Sequence, residues 1–483
     1  MPAVRAELTG ATASTASFLV STIGCSEVLY GYAKEGVEPA LNQRLSTGGT
    51  GTRQLSLDVE DLAPGTAYQL GIQGKGPAGE EGKVQYVPFQ TQSGSSLPHP
   101  ADMTLIPGHS SHRSPLAWSK DRWLRHVVYT DENGQDHWFF DSFLLIEGQQ
   151  NGKYGGPIIT YSVTDEDRPS ATKEYWQQQL DFWFKGGDFP WQESYWGDGV
   201  NTFARWYTGN TQTIHFSSGQ LDALDECISD EAAKIGAPPT KRYVVMSLPE
   251  PIYFDNYIRG VQNGGNTVYW GSINGKALDF SKVEDRIEAC KWFMDETRRA
   301  FASKHYKNIE LLGFYVLPEV LSTTWRKEYK RYDVLIPALS AYAHAGNQWL
   351  YWIPYCMAEG YTRWKEFGID LAYMQPNYYW DAEKKPMSTT FQEINKYQMG
   401  LELEFEYSMV EAVNGASSAA LYRARFDEYL EWAKRSGVYG IRSIALYSGT
   451  DAMEQLADSP LEGDRAMYHK LGHFIIESPL KKQ

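Results

Sequence analysis

Apolar residues recur along this chain in two rhythms, and the change between them falls near residue 93. Over residues 1–91 the runs are short and alternate with polar positions. Examples are Ala16-Ser17-Phe18-Leu19-Val20-Ser21, Val28-Leu29-Tyr30-Gly31-Tyr32 and Gln54-Leu55-Ser56-Leu57-Asp58-Val59, with Gly- and Ser-rich turns between. Period-two alternation bounded by turn residues predicts strands with one buried face. Ser93-Gly94-Ser95-Ser96-Leu97-Pro98-His99-Pro100 has the composition of a linker. Beyond it, apolar strand candidates recur at 103–107, 139–146, 243–248, 310–317, 348–354, 370–376, 400–406 and 442–448. Helical patterns lie between them. Ser281-Lys282-Val283-Glu284 reads as a capping box opening a helix to about Ala302. Residues 325–345, closed by Gly346, and 419–435, closed by Gly437, predict two more. Eight strands alternating with helices fit a closed (β/α)8 barrel better than an open sheet. The organisation expected is an all-β sandwich over 1–92, a linker over 93–101, and an α/β (β/α)8 TIM barrel over 102–483.

Composition narrows the function. The 483 residues hold 45 Lys and Arg against 60 Asp and Glu, a formal net charge of −15. A field of that sign argues against a nucleic-acid partner, which needs clustered cations. No apolar run is long enough to span a bilayer, and no signal peptide precedes Ala3. Cys25, Cys227, Cys290 and Cys356 show no ligand spacing and are expected as small buried hydrophobes. The aromatic load of 16 Trp, 32 Tyr and 20 Phe says more. Several, including Trp191, Trp196, Tyr378 and Tyr379, lie in loop-like sequence where flat rings make stacking platforms for sugars. Burying area beneath long loops accounts for about half of such positions.

Two strand-like runs end in carboxylates: Leu311-Leu312-Gly313-Phe314-Tyr315-Val316-Leu317-Pro318-Glu319 and Gly400-Leu401-Glu402-Leu403-Glu404-Phe405-Glu406. Carboxylates are costly beside a hydrophobic sheet unless something there uses or pairs them. Counting strands places Glu319 just past the fourth and the three glutamates on the seventh, so both runs open on the face where such barrels keep their chemistry. Alternation sends Glu402, Glu404 and Glu406 to one face, towards the barrel axis, with Glu402 deepest and Glu406 at the rim. An edge strand with a wet face would show the same pattern, but a closed barrel has no edge. Cleaving a glycosidic bond takes an acid and a second carboxylate that attacks or activates water. Glu319 is the acid candidate, its pKa raised by desolvation; Glu404 is the nucleophile or base; Glu402 orients Glu404 or shares its proton.

Other strand ends offer polar groups for sugar hydroxyls: Gln375, Asn377 and Tyr378 after the sixth, Glu250 after the third, Asp141 at the second, and Tyr447 on the eighth. Each could equally be a satisfied loop contact. His109 and His112 follow the first strand, but no HExxH or carboxylate partner completes a metal set, and His109 is read as hydroxyl-binding. No cofactor motif is present; no GxGxxG follows the first strand.

Two resemblances add to this reading. In Leu62-Ala63-Pro64-Gly65-Thr66-Ala67-Tyr68-Gln69-Leu70 a turn feeds a strand whose Tyr68 is placed for a tyrosine corner. The N-terminal module thus resembles the fibronectin type III family, with Phe18 near the place that family usually gives to Trp. The segments Phe139-Phe140-Asp141-Ser142-Phe143-Leu144, Gly219-Gln220-Leu221-Asp222-Ala223-Leu224, Leu312-Gly313-Phe314-Tyr315, Trp352-Ile353-Pro354-Tyr355, Met374-Gln375-Pro376-Asn377-Tyr378 and Gly400-Leu401-Glu402-Leu403-Glu404-Phe405 resemble a bacterial domain-of-unknown-function family, number 4855. That resemblance spans nearly all of residues 101–478. It implies a secreted, periplasmic or cell-surface bacterial barrel associated with glycan use. The placement of Glu319 and Glu404 is similar to the retaining clan of barrel glycosidases, which however puts Asn before the acid where this chain has Pro318.

The sequence therefore predicts a monomeric glycoside hydrolase acting on a carbohydrate without a cofactor. Its substrate contacts are expected at Glu406, Gln375, Asn377, Tyr378, Glu250, Asp141, His109, Tyr315, Tyr447 and Trp196. A non-catalytic glycan-binding protein on the same barrel is the main rival, and a metal-dependent hydrolase using His109 and His112 a third possibility.

Overall fold

The computed structural model describes residues 2–11, 15–60, 62–63, 65–91, 97–108, 117–146, 173–196, 205–251, 269–324, 330–449 and 451–482. Seven strands form the N-terminal module: β1 (Ala3–Ala11), β2 (Ala16–Ile23), β3 (Glu27–Lys34), β4 (Gln43–Ser46), β5 (Arg53–Val59), β6 (Ala67–Lys75) and β7 (Gln85–Gln90). They pair antiparallel into two sheets, β1-β2-β5 and β4-β3-β6-β7. The inward residues of both sheets share one core, with Phe18, Val20, Val28, Leu57, Leu70, Ile72 and Phe89 buried together. Phe18 meets Phe89 edge-on at 5.2 Å. The tyrosine corner is formed: the Tyr68 hydroxyl accepts from the Ala63 N–H at 2.8 Å.

The second module opens with β8 (Asp102–Pro107), followed by the hairpin β9 (Val128–Thr130) and β10 (Asp136–Trp138), then β11 (Ser142–Ile146). A second hairpin, β12 (Gly187–Trp196) and β13 (Arg205–Phe216), precedes β14 (Arg242–Leu248), and a third, β15 (Tyr269–Ile273) and β16 (Lys276–Asp279), precedes β17 (Ile309–Val316). Then come β18 (Trp349–Trp352), β19 (Leu371–Met374), β20 (Gly400–Glu404) and β21 (Ile444–Tyr447). Eight of these close a barrel in the order β8-β11-β14-β17-β18-β19-β20-β21, and the registers described between them are parallel. They fall on the eight predicted runs: β8 and β14 each begin one residue earlier, β17 keeps its length, and the other five are shorter. Helices at Lys120–Val127, Gln220–Ile235, Val283–Lys304, Tyr332–Ala345, Met387–Lys396 and Glu411–Arg435 lie between barrel strands in sequence. Barrel strands buried on both faces carry apolar runs, as β14 does with Tyr243-Val244-Val245-Met246 between the equally buried Arg242 and Ser247. No helix among the described residues is long and apolar enough to cross a membrane.

Three local expectations are corrected. The helix placed at 281 starts at Val283 with Lys282 as its cap and no side-chain cap bond. Ser281 is instead drawn back: its N–H donates to the Asp279 carboxylate at 2.9 Å. The helix placed at 419–435 begins at Glu411 and is kinked at Gly415, whose φ of 78° is left-handed. The seventh strand ends at Glu404, so Glu406 lies beyond it.

Candidate active site

β20 presents Glu402 and Glu404 from between β19 and β21, with Glu402 opposite Ala445 and Glu404 opposite Tyr447. Leu401, Leu403 and Phe405 are buried on the alternate positions. Phe405 packs edge-on against Phe426 of the following helix at 5.3 Å. Both glutamates are almost completely buried, Glu402 at 2% and Glu404 at 0% exposure. Close approach at the start of the strand requires glycine: a Cβ on Gly400 would stand 2.5 Å from Tyr373 Cδ1 and 2.8 Å from the Ser443 carbonyl.

Glu404 is held by one oxygen. The Asn377 N–H donates to Oε2 at 2.7 Å and the Tyr429 hydroxyl donates to the same atom at 2.5 Å. The backbone N–H groups of Tyr378 and Tyr379 donate to Tyr429 Oη at 2.9 and 3.1 Å. A hydroxyl has two lone pairs and one proton. With both lone pairs taken, the proton of Tyr429 is committed to Glu404. Oε2 therefore receives two donors, while Oε1 has no hydrogen-bond partner. A proton taken up by this carboxyl goes to Oε1. Burial raises Glu404 to about 7, against the pull of Tyr429, Asn377 and Gln375 towards the ionised form.

Glu402, two residues deeper, leaves Oε2 without a partner. Burial first, and then the charges of Glu404 and Glu319, push its carboxyl well above the usual carboxylate range. Neighbouring buried carboxylates cannot all ionise, so the pair retains a proton near neutrality, and the hydrogen bonds that favour ionised Glu404 leave it on Glu402.

Glu319 stands three residues past β17, behind Pro318, at the mouth of the same barrel. It is accessible to solvent, but protein surrounds it closely enough that loss of bulk water raises its carboxyl, offset by the charge of Lys384. The loop carrying it is fixed on both sides. Trp352 Nε1 donates to the Pro318 carbonyl at 2.7 Å. Glu359 accepts from the N–H groups of Thr323 and Thr324 at 3.0 and 3.1 Å, and from the hydroxyls of Ser322 and Thr324. Among the described residues no cation forms an ion pair with Glu319, Glu402 or Glu404, and no cluster of three or more His, Cys, Asp or Glu is arranged to hold a metal.

The other predicted residues separate. Tyr315 and Tyr447 join the group: burial raises both phenols, Tyr315 feels Glu402 and Glu319, and Tyr447 feels Glu406, Glu402, Glu319 and Glu404. Asn377 donates to Glu404 as described, and the Gln375 side chain favours its ionised form. The Tyr378 ring is partly exposed, and its hydroxyl donates to Glu428. Glu250 lies at the carboxyl end of β14, but its Oε1 accepts from Lys330 at 3.2 Å and Tyr332 at 2.8 Å, an anchored loop contact.

Asp141 is at the wrong end of the barrel for a mouth residue. It precedes β11 and pairs with Arg242, the first residue of β14, at 2.9 Å and with Lys481 at 3.3 Å. Lys481 also meets Asp102, the first residue of β8, at 3.0 Å. That cluster seals the amino-terminal end, where polar groups serve stability. His109 and His112 lie outside the described residues, and nothing is described of the Trp196 side chain.

Sequence reasoning missed Tyr429 and Glu359. Tyr429 had a faint signal: it shares the buried stripe of its helix with Phe426, Leu430 and Ala433, and a buried tyrosine hydroxyl generally has a partner. Glu359 had none, because its loop partners are nearly forty residues away.

Comparisons with known proteins add the following. The sensor domain of the anti-sigma factor RsgI4 from Pseudobacteroides cellulosolvens is 16% identical, covering 19% of this chain and 93% of that one, with a TM-score of 0.15. A computationally redesigned β-sandwich protein is 18% identical over 19% of this chain and 92% of its own, at 0.13. The β-glucuronidase of Parabacteroides merdae is 10% identical over 92% of this chain and 47% of that one, at 0.30. Scores this low carry no functional argument. No curated protein matches the chain. The family described as "Domain of unknown function (DUF4855)" matches residues 201–473, which take in Glu319, Glu402 and Glu404. The chain belongs to the DUF4855 family.

Proposed function

We propose that this protein is a glycoside hydrolase using Glu319 as general acid and Glu404 as nucleophile or base. The observation that carries the reading is the state of Glu404. One oxygen is pinned by two donors while the other is buried and carries no hydrogen bond. Burying a carboxylate without a counter-ion is expensive, and a fold retains such a group where the chemistry uses it. Positive charge developing on the sugar in an oxocarbenium-like transition state would be stabilised by ionised Glu404. Glu319, with its raised pKa and access to solvent at the mouth, suits protonation of the leaving oxygen. Glu402, neutral beside Glu404, would keep a proton close to the reacting oxygen. We further propose that the protein acts outside the cytoplasm of a bacterium.

The test is a panel of plant, host and microbial polysaccharides incubated with the full chain, scored for new reducing ends and, separately, for binding. Release of reducing ends from at least one glycan is expected. Tight binding of a glycan with no cleavage of any would favour a binding protein on the same scaffold.

A further inference from the structure

The barrel mouth holds more acceptor oxygens than the proposed reaction uses. Glu402 Oε2, Glu404 Oε1 and Gln375 Oε1 are buried without a hydrogen-bond partner. They belong to β20 and to the residue just past its neighbour β19. A fourth unpartnered atom, Ser247 Oγ, is buried at the end of β14 beside Tyr315 in register. Glu319, Glu402, Glu404 and Glu406 all act on the Tyr447 phenol, so the four carboxyl groups lie within electrostatic range of one ring. Among the described residues Lys384, exposed, is the cation whose charge offsets Glu319.

Ligand chemistry can be sorted against that inventory. A neutral sugar hydroxyl offers one hydrogen and no charge. A carboxylated or sulfated sugar brings acceptors and negative charge into a site already rich in both. A protonated amine brings three N–H donors and one positive charge, which matches a cluster of orphaned carboxylate and amide oxygens. Building on the glycosidase reading, we propose that the sugar bound in this site carries a free protonated amino group, held by Glu402 Oε2 with Gln375 Oε1 and placed in the field of Glu404. A bound ammonium would also draw the two buried glutamates towards their ionised forms, which Glu404 needs for attack.

The experiment is isothermal titration of the full chain at pH 7 with glucosamine and galactosamine, their N-acetyl derivatives, glucose, galactose and glucuronate. At least one free hexosamine is expected to bind about tenfold or more tightly than its N-acetyl and neutral counterparts. Glu402→Gln is expected to remove that preference with the thermal transition intact. Should that variant fail to fold, Gln375→Met, at a partly exposed position, is expected to weaken the preference several-fold. Equal or tighter binding of the N-acetyl, neutral or uronate sugars, no binding of either hexosamine, or a preference that survives substitution of Glu402 or Gln375 overturns the proposal. Because the readout is binding, failure to hydrolyse any glycan would sink the glycosidase reading alone. Cleavage restricted to neutral or N-acetylated glycans would sink this proposal and leave that reading intact.

Discussion

Replacing Tyr429 by Phe removes a single oxygen from the centre of the site. That oxygen donates to Glu404 Oε2 at 2.5 Å and accepts two backbone N–H groups from the loop after β19. A hydrogen bond to the charged form of a carboxyl lowers its pKa, so its loss raises Glu404 above about 7. A hydrogen bond to a charged group contributes about 1.5–3 kcal/mol, and one pKa unit corresponds to about 1.4 kcal/mol. The expected shift is therefore about one to two units upward. Glu404 must be ionised to attack or to act as a base, so the acid limb of kcat/KM should move up by that amount. At pH 6 the variant should be about 10- to 100-fold slower than the parent, with much of the loss recovered above pH 9. The two orphaned N–H groups should also lower unfolding stability by about 2 kcal/mol, measured in denaturant. The assay is a pH profile of kcat/KM on any cleaved glycan. A uniform loss at every pH, with the acid limb unmoved, would show that Tyr429 only supports packing and does not tune Glu404.

Three further outcomes follow from the same geometry. A carboxyl whose folded pKa is raised binds more protons in the folded than in the unfolded state, so it lowers stability as pH rises from about 4.5 to about 7; Glu404→Gln should therefore raise unfolding stability above pH 7 by about 3 kcal/mol and change it little at pH 4. Glu359→Gln weakens the carboxylate clamp on residues 322–324, and should lower kcat more than it changes KM by loosening the loop that carries Glu319. Lys481→Met leaves Asp102, already raised by burial to about 7, without its cation; the loss should reach about 3 kcal/mol at pH 8 and shrink at pH 5, where Asp102 takes up a proton, and an equal loss at both pH values would contradict the assignment.

Much of the fold was legible because each barrel strand is an apolar run between helical patterns, a signal that is local in sequence. The alternation of Glu402 and Glu404 with Leu401 and Leu403 was legible for the same reason: a period of two on a short strand has one inward face. What the sequence did not reveal depends on distance. Tyr429 reaches Glu404 from a helix 25 residues further on, and nothing local distinguishes its ring from a core aromatic. Asp141 misled because a carboxylate flanking a strand looks alike at either end; its partners Arg242 and Lys481 are 101 and 340 residues away. Several strand ends were drawn too long because an apolar run continues past the last strand residue, as Phe405 does after Glu404. The capping box failed where Asp279 captured the Ser281 N–H, a competing local bond of the kind short polar side chains often make.

Two carboxyl groups, at the carboxyl ends of β17 and β20, are proposed to perform hydrolysis. The most direct measurement compares turnover by the parent, Glu319→Gln and Glu404→Gln on one glycan that the parent cleaves, with affinity for that glycan measured alongside. Each variant is expected to lose about 100-fold or more in kcat while retaining affinity within a few-fold. Turnover that survives both substitutions would show that neither carboxyl group performs the reaction.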